Sequence, residues 1–355
     1  MDIKKIYRQI GFPRLIITAF LAILLIAATL LGMSQTQIWG GILTRFGMNA
    51  ILVLAMVPSI QSGIGINFNL PLGVLFGLIG ALVSIELKLM GWAGFAVALL
   101  VAIPLAAIGG YFYGLMLNRV KGNEMTVGTY VGFSLVSVMC IFWLLAPFGS
   151  EQLIWPMSGK GLRVTIFMEQ SFGQVLDNFP YNLPFGNWTW YPEWLKVFPI
   201  GLLLFFALLA FIVWVFFRTK SGTAMKVAGS SEAFAISNGV NVNKQRIKGI
   251  MISTVLAAIG IIVYSQSFGF LQLYNAPLYV AMHAAAAILI GGATLKRATI
   301  LHVIIGTFLY QGLLVVALPV INLISGGSMA EIIRIIISNG IILYALTRKA
   351  GDAIW

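Results

Sequence analysis

The sequence predicts an all-α protein that crosses a membrane about ten times. Of its 355 residues, 60% are hydrophobic and only 9% are charged, and the mean hydropathy is +0.97. A soluble domain of this length does not have such a composition. Apolar runs recur at about the 18 residues that a helix needs to cross the hydrocarbon core of a bilayer. The runs show no sustained apolar–polar alternation of the kind found in barrel strands, so helices are predicted.

The first predicted span is a retained helix. Its basic start and apolar stretch have the form of a signal peptide, but no small-residue cleavage site follows. The whole chain, residues 1–355, is therefore expected to form a single transmembrane domain. The predicted spans lie near residues 15–32, 46–60, 72–88, 92–117, 126–146, 197–216, 249–267, 277–292, 299–318 and 332–347.

The basic residues predict the orientation, because cytoplasmic loops carry an excess of Lys and Arg. An even number of spans with both termini in the cytoplasm places most of the 22 basic residues inside. Two long loops then leave the membrane, an extracytoplasmic loop at 147–196 and a cytoplasmic loop at 218–248. The basic residues left outside or at the outer rim are Arg45, Lys88, Lys160, Arg163, Lys196 and Arg334.

The extracytoplasmic loop is rich in aromatic residues, which suit a segment at the membrane–water interface. Two interpretations stay open from the sequence: an anchored surface loop, or a docking or lid element. The aromatic residues are Trp155, Trp188, Trp190, Tyr191 and Trp194.

The cytoplasmic loop is predicted to contain a helix of about two turns from Glu232 to Ser237. Ser230 and Ser231 are candidates for the N-cap, Glu232 places negative charge in the first turn, and Asn238-Gly239 supplies a left-handed stop. So short a helix is not stable alone in water, so it has to pack on another surface.

Phe234 and Ile236 are two positions apart and point in different directions on such a helix. One can therefore face the membrane domain and the other an external partner. The alternative is a helix that packs only on its own chain.

The run GTAMKVAGSSEAFAISNGVNVNKQRIKGIMIS, Gly222 to Ser253, resembles the cytoplasmic signature of permeases of ATP-binding-cassette (ABC) importers in the branched-chain amino acid, simple-sugar and nucleoside group. Two further stretches are similar to the simple-sugar and nucleoside branch: KGNEMTVGTYVGFS from Lys121 and AAAAILIGGATLKRATILHVIIGTFL from Ala284. A weaker similarity covers SGIGINFNLPLG from Ser62, where Asn67 stands at a position that is often Asp in sugar permeases.

The resemblance implies a type II-like ABC importer permease in a bacterial inner membrane. It implies three protein partners: an ATPase subunit that binds ATP, a second permease subunit and an extracytoplasmic solute-binding protein. The short cytoplasmic segment would be the coupling helix that seats in a groove of the ATPase. The residues that this assigns to coupling are Ser231, Glu232, Ala233, Phe234, Ile236 and Gly239.

Several kinds of chemistry are missing from the sequence. No G-x-x-x-x-G-K-[ST] motif occurs, so nucleotide binding by that loop is excluded. Cys140 is the single cysteine, and His283 and His302 have no neighbouring ligands in sequence that would complete a metal site. The chain is therefore predicted to be no enzyme, to hold no cofactor or metal, and to owe its net charge of +12 to its loops rather than to nucleic-acid binding.

The acidic residues argue against ion coupling. A carrier driven by protons or sodium ions usually needs ionisable groups at membrane depth. All ten acidic residues fall in predicted loops, at the chain ends or near helix ends, as Glu86 and Glu331 do. A secondary carrier or facilitator that works alone is kept as the alternative function, and a membrane scaffold without transport as a second one.

A solute pathway is predicted from polar residues in apolar surroundings. Asn67 and Asn69 precede Pro71 in a region where broken backbone would be tolerated if it lined a cavity. Neutral amides favour a neutral, hydroxyl-rich solute such as a nucleoside or simple sugar. A second wall would come from a stripe at helical spacing, for which hydrogen bonds between helices are an equal alternative. The stripe consists of Thr126, Thr129, Tyr130 and Ser134.

Overall fold

The computed structural model describes residues 12–155, 161–181 and 196–325, with residues 332, 335, 336, 339 and 340. The three long ranges form twelve helices and two three-residue strands, which confirms the all-α prediction. The elements are α1 Phe12–Leu30, α2 Gln35–Leu54, α3 Met56–Gln61, α4 Leu70–Glu86, α5 Gly91–Leu117, α6 Glu124–Leu145, β1 Thr165–Phe167, α7 Ile200–Phe216, α8 Lys220–Ser230, α9 Glu232–Ser237, α10 Val242–Phe268, β2 Phe270–Gln272, α11 Ala276–Ile290 and α12 Ile300–Ser325.

Each predicted span from 15–32 to 299–318 has a helix over it. Five of the described helical segments are long and apolar enough to cross a membrane, or six if the bent pair α7–α8 is one span. Helices α1, α4 and α11 are apolar but shorter. The chain is thus a multi-pass helical protein. The number of ten spans stays a prediction, because most of the tenth predicted span lies outside the described residues.

The boundary predicted for the second span, near residue 46, is wrong. Helix α2 begins at Gln35 and continues through Arg45, with α3 following directly after Ala55. The charge of Arg45 and the polar residues before it end the apolar run in the sequence, although the backbone stays helical. Arg45 is therefore the eleventh residue of a helix rather than a residue of a rim loop.

Glycines let the central helices approach one another closely. A Cβ at Gly73 of α4 would lie 2.4 Å from the Thr254 carbonyl oxygen of α10, and one at Gly80 would lie 2.4 Å from the Ala98 oxygen of α5. Small residues of this kind allow the backbones of membrane helices to pack in direct contact. Helices α4, α5 and α10 consequently form the centre of the molecule.

The alanine-rich stretch of α11 packs closely inside the bundle. Ala284 to Ala287 are buried, and α11 crosses α12 at two glycines, Gly291 and Gly306. A Cβ at Gly306 would lie 1.9 Å from the Ala287 carbonyl oxygen, so no other residue fits there without moving the helices. This crossing fixes α11 against α12.

The chain leaves the bundle at two ends. At one end, α8 turns by 78° from the direction of α7 and opens the 218–248 loop, which we call the coupling loop. At the other end, the described parts of the 147–196 loop, which we call the opposite segment, cover the ends of several helices. There β1 pairs antiparallel with β2, with Ile166 opposite Leu271.

Candidate functional site

The coupling loop contains the short helix that the sequence predicts, with the same bounds, Glu232–Ser237. The Ser231 hydroxyl caps its start by accepting a hydrogen bond from the Phe234 N–H at 3.3 Å. Its end is closed by the Asn238 side-chain amide, which donates to the Phe234 carbonyl oxygen at 2.8 Å, and by Gly239 with φ of +74°. Only glycine adopts that left-handed conformation without strain.

Helix α9 rests on the chain through Ala235. This side chain is 0% exposed and packs with Ala228 of α8 and Val242 of α10. Phe234 and Ile236 are 59% and 61% exposed. Successive residues of a helix point about 100° apart around its axis. Since Ala235 points at the bundle, Phe234 and Ile236 point to its two sides. The expectation that one of the two faces the membrane domain is therefore wrong, because both face outward.

The coupling loop meets the bundle by direct backbone contact at the end of α3. A Cβ at Gly229 would lie 2.2 Å from the Gln61 carbonyl oxygen and 2.8 Å from the Gly63 nitrogen. A Cβ at Gly249 of α10 would lie 2.5 Å from that of Ser62. The Gln61 side chain also donates to the Ala298 carbonyl oxygen of the α11–α12 connection. The residues from Gln61 to Gly63 are thus held between three parts of the chain.

Two ion pairs connect the coupling loop to the start of α6 and to the α5–α6 connection before it. Lys121 Nζ lies 2.6 Å from Glu232 Oε1 in an exposed pair, which ties α9 to the α5–α6 connection. Arg246 of α10 pairs with Glu124 at the start of α6, and both side chains are largely buried, at 6% and 12% exposure. Glu124 also accepts a hydrogen bond from the Gly122 N–H at 2.9 Å.

The pairing of Arg246 with Glu124 is absent from the sequence predictions. Both residues lie in the stretches that carry the family resemblance, but 122 positions separate them. A spacing of that size carries no pairing signal in a single sequence. The sequence shows only that each of the two charged residues lies beside a predicted span.

Asn67 and Asn69 lie inside the bundle, where they are 2% and 1% exposed. The Asn67 amide donates to the Ser253 hydroxyl at 3.0 Å, and its oxygen accepts from the Asn69 N–H at 3.1 Å. The Asn69 side-chain amide makes no hydrogen bond of good geometry to the described residues, although the Tyr113 hydroxyl lies close enough to interact with it. The Asn69 side chain lies beside Tyr113, close to Gly128 and Gly132 of α6, which have no side chains there.

The predicted polar stripe on α6 lies apart from the two asparagines. Thr126, Tyr130 and Ser134 are exposed on the outer face of α6, and Tyr130 is 71% exposed. Thr129 is half-buried, and it borders a narrow gap together with Phe68, Pro71 and Phe133. Only Thr129 approaches the asparagine region, so the structure does not bring the predicted pathway residues into one cluster.

The buried apolar residues of the opposite segment belong to the same hydrophobic core as the bundle, and polar contacts also hold the segment to α10. Gln266, near the end of α10, is buried and accepts from the Leu176 N–H at 3.2 Å. The Asp177 carboxylate accepts from Gln266 at 2.9 Å and from Ser267 at 2.7 Å. Trp155 is 44% exposed, whereas Trp188, Trp190, Tyr191 and Trp194 lie outside the described residues. The buried residues of the segment include Leu153, Leu162, Ile166, Met168 and Phe172.

The sequence matches known proteins over most of its length. A family model described as "Branched-chain amino acid transport system / permease component" matches residues 38–345. Among curated proteins, the autoinducer 2 import system permease protein LsrC of Enterobacter sp. (strain 638) is 26% identical over 294 residues, 82% of this chain and 75% of that protein. The proteins of the same name from Photorhabdus laumondii and Yersinia pestis are each 24% identical, over 77% and 74% of this chain and 74% and 66% of their own lengths. No solved structure was found to match the chain.

Proposed function

Because the chain belongs to the branched-chain amino acid transport system / permease component family, we propose that it is the transmembrane permease subunit of an ABC importer. In this function it moves a small polar solute into the cytoplasm, and a separate ATPase subunit binds and hydrolyses ATP. The permease itself is a transport component, not an enzyme.

The exposed flank of the coupling helix carries this proposal. Phe234 and Ile236 project from a capped helix that rests on the chain through Ala235. Large aromatic side chains in such positions are the usual anchors of protein interfaces. The coupling loop touches the Gln61–Gly63 backbone directly, so a movement of a docked ATPase would reach the connection that contains Asn67 and Asn69.

The proposed solute is small and polar. The relatives are named as autoinducer 2 importers, and the sequence resemblance points to the simple-sugar and nucleoside branch. A simple sugar, a nucleoside and autoinducer 2 are therefore the three solutes to test first.

The proposed setting is a bacterial inner membrane with both termini in the cytoplasm. The coupling loop then faces the ATPase, and the opposite segment faces the extracytoplasmic solute-binding protein. A second permease subunit, identical or different, completes the pore, and lipid surrounds it. No role in nucleic-acid binding is proposed.

The predicted pathway residues stay part of the proposal. They are Asn67, Asn69, Thr126, Thr129, Tyr130 and Ser134. Since Asn67 already hydrogen-bonds Ser253, its amide can reach a solute only if the α3–α4 connection opens. Asn69→Leu should reduce uptake while leaving ATPase assembly intact, because a buried amide beside the Tyr113 hydroxyl would be replaced by an apolar group of similar size. Failure of this variant to assemble with the ATPase would assign Asn69 a structural role instead.

Reconstitution in liposomes tests the function directly. Concentrative uptake of radiolabelled solute is expected only when the permease, the ATPase subunit, ATP and the solute-binding protein are all present. Each component is omitted in turn, and the lone chain is expected to move nothing against a gradient. Uphill uptake by the lone chain under a proton or sodium gradient would replace this proposal with a secondary carrier.

A further inference from the structure

A polar cavity of about 230 Å³ lies between α2, α11, α12 and the last turns of α10. It is separate from the predicted pathway residues. The cavity is lined by Tyr279 and His283, whereas the neighbouring positions Leu278 and Ala281 border the narrow gap beside Thr129. Helix α11 therefore presents different faces to the two spaces.

Arg45 places a positive charge at the wall of the cavity. Its guanidinium carbon lies 5.2 Å from the centre of the Phe268 ring, and the described part of the chain places no carboxylate within ion-pairing distance of it. None of the described residues that line the cavity is acidic. An arginine within a helix of this kind is costly unless it faces water or a partner, and it is a functional-site candidate for that reason.

Neutral groups surround this charge. Gln311 is 7% exposed, lines the cavity and has no hydrogen-bond partner among the described residues. Its amide is open to the cavity, where it can bind water or a solute. The His283 Nδ1 lies 2.8 Å from the Tyr279 carbonyl oxygen. Because that oxygen can only accept, Nδ1 carries hydrogen and the other ring nitrogen stays available to the cavity.

The polar lining is concentrated in the cavity around Arg45 and Gln311. On α2, Arg45 and Asn49 come before Leu52 and Val53. A second cavity of about 420 Å³ adjoins the first, and Arg45 and Gln311 line both. It is also lined by Gly41, near the end of the bundle that carries the opposite segment. The two cavities form a route from that end to Arg45, and the outer one is lined mainly by apolar residues.

We propose that the Arg45–Gln311 cavity is the external solute site of the permease and that it takes an uncharged, hydroxyl-rich solute of monosaccharide size. This inference rests on the proposed function. Arg45 and the Gln311 amide donate hydrogen bonds to solute oxygens, and the free His283 nitrogen and the Gln311 carbonyl oxygen accept from hydroxyl groups. The lone positive charge repels cations.

Thiol protection of the purified full-length chain in nanodiscs tests this site. Cys140 is replaced by serine, and Asn275→Cys, at an exposed position of the cavity lining, provides the reporter. D-ribose at millimolar concentration should slow maleimide labelling of this cysteine. Choline should have no effect. Glu169→Cys, on the exposed surface of the opposite segment and away from the cavity lining, is the matched control and should stay unprotected.

Adding Arg45→Gln to the reporter chain should raise the ribose concentration for half-protection about tenfold, the usual loss for one hydrogen bond from a charged donor. Arg45→Lys keeps the charge without the planar fork and should give a smaller rise. An unchanged labelling rate without solute shows that each variant retains its fold.

Three outcomes would overturn the inference. Absence of protection by ribose and adenosine would remove the site, and equal protection in the Arg45→Gln variant would remove the role of Arg45. Stronger protection by ribose 5-phosphate than by ribose would assign an anionic solute instead. These outcomes are distinct from failure of the proposed function, which would appear as absent ATP-driven uptake by the complete importer.

Discussion

The opposite segment and the coupling loop, at the two ends of the bundle, both leave large apolar side chains exposed, such as Phe167 and Phe234, but they pack on the bundle differently. In the opposite segment Leu153, Ile166 and Phe172 are fully buried. In the coupling loop, Phe234 and Ile236 are exposed while the small Ala235 is buried. Both stretches had apolar residues available to fold against the bundle. In the coupling loop the exposed side chains lie on a helix of only six residues, and under the proposed function this flank contacts the ATPase subunit.

The two ends are also anchored differently. The opposite segment is held by hydrogen bonds from the last turn of α10 and by the β1–β2 pairing. The coupling loop is held by glycine backbone contacts and by ion pairs to the start of α6. The backbone contacts join the coupling loop directly to the bundle, while Phe234 and Ile236 on its outer face are exposed.

The largest expected effect concerns the buried ion pair at the coupling end. Arg246→Met removes one partner and leaves the Glu124 carboxylate largely buried without its counter-charge. Breaking a buried pair in this way costs about 3–5 kcal/mol of folding free energy. Chemical unfolding of the purified permease in detergent should therefore show a lowered midpoint.

The double variant Arg246→Met with Glu124→Leu is the control for this prediction. Replacing both charges by apolar groups of similar size is often neutral or stabilising. Stability should therefore return toward that of the native chain. A double variant less stable than Arg246→Met alone would mean that Glu124 acts through its hydrogen bond to Gly122 rather than through the pair.

The exposed flank of the coupling helix gives the next largest effect. Phe234→Ala should weaken binding of the ATPase subunit by about 2 kcal/mol, which is the threshold for an interface anchor. Its effect on the stability of the isolated permease should stay within about 0.5 kcal/mol, because the side chain is exposed. Co-purification with the ATPase subunit and solute-stimulated ATP hydrolysis measure the first quantity.

Phe211→Ala is the matched control, since Phe211 is also 59% exposed but lies on the membrane helix α7. ATPase binding should be unchanged in this variant. Equal loss of binding in both variants would show that general loss of apolar surface, rather than docking at the coupling helix, is responsible.

The sequence predicts local features of the coupling end well. The Ser231 cap, the Glu232–Ser237 helix and the glycine stop follow from short-range preferences, and the structure has all three. The buried face of α9 was not predictable in the same way, because it depends on where Ala228 and Val242 lie. Helix periodicity says which residues share a face, but not which face meets the bundle.

Long-range polar contacts were the least predictable features. The Arg246–Glu124 pair and the cavity around Arg45 each join residues from distant parts of the chain. Arg45 is the reason that the predicted second span begins too late in the sequence. A charge lowers local hydropathy whether it lies in a loop or faces a polar cavity within a helix. The pathway prediction from Asn67 to Ser134 is still to be tested.

The smallest expected effect concerns protonation at the opposite end. Burial raises the pKa of the Asp177 carboxyl above its ordinary value, although hydrogen bonds from Ser267 and Gln266 act to lower it. The folded state therefore favours the protonated form. Docking of the opposite segment on α10 should be strongest below the ordinary pKa of aspartate and should weaken as the pH rises through the raised pKa.

Hydrogen exchange at the Leu176 amide, which donates to Gln266, reports this docking. Protection, corrected for the intrinsic exchange rate, should fall with rising pH in the native chain. It should be independent of pH over that range in Asp177→Asn, which does not titrate. The coupling-loop amide of Phe234, bonded to the Ser231 hydroxyl, should show no such change, because its partner carries no titratable proton in this range. A pH response at Phe234 that matches the one at Leu176 would instead indicate a transition of the whole molecule, and the two ends would then not respond independently.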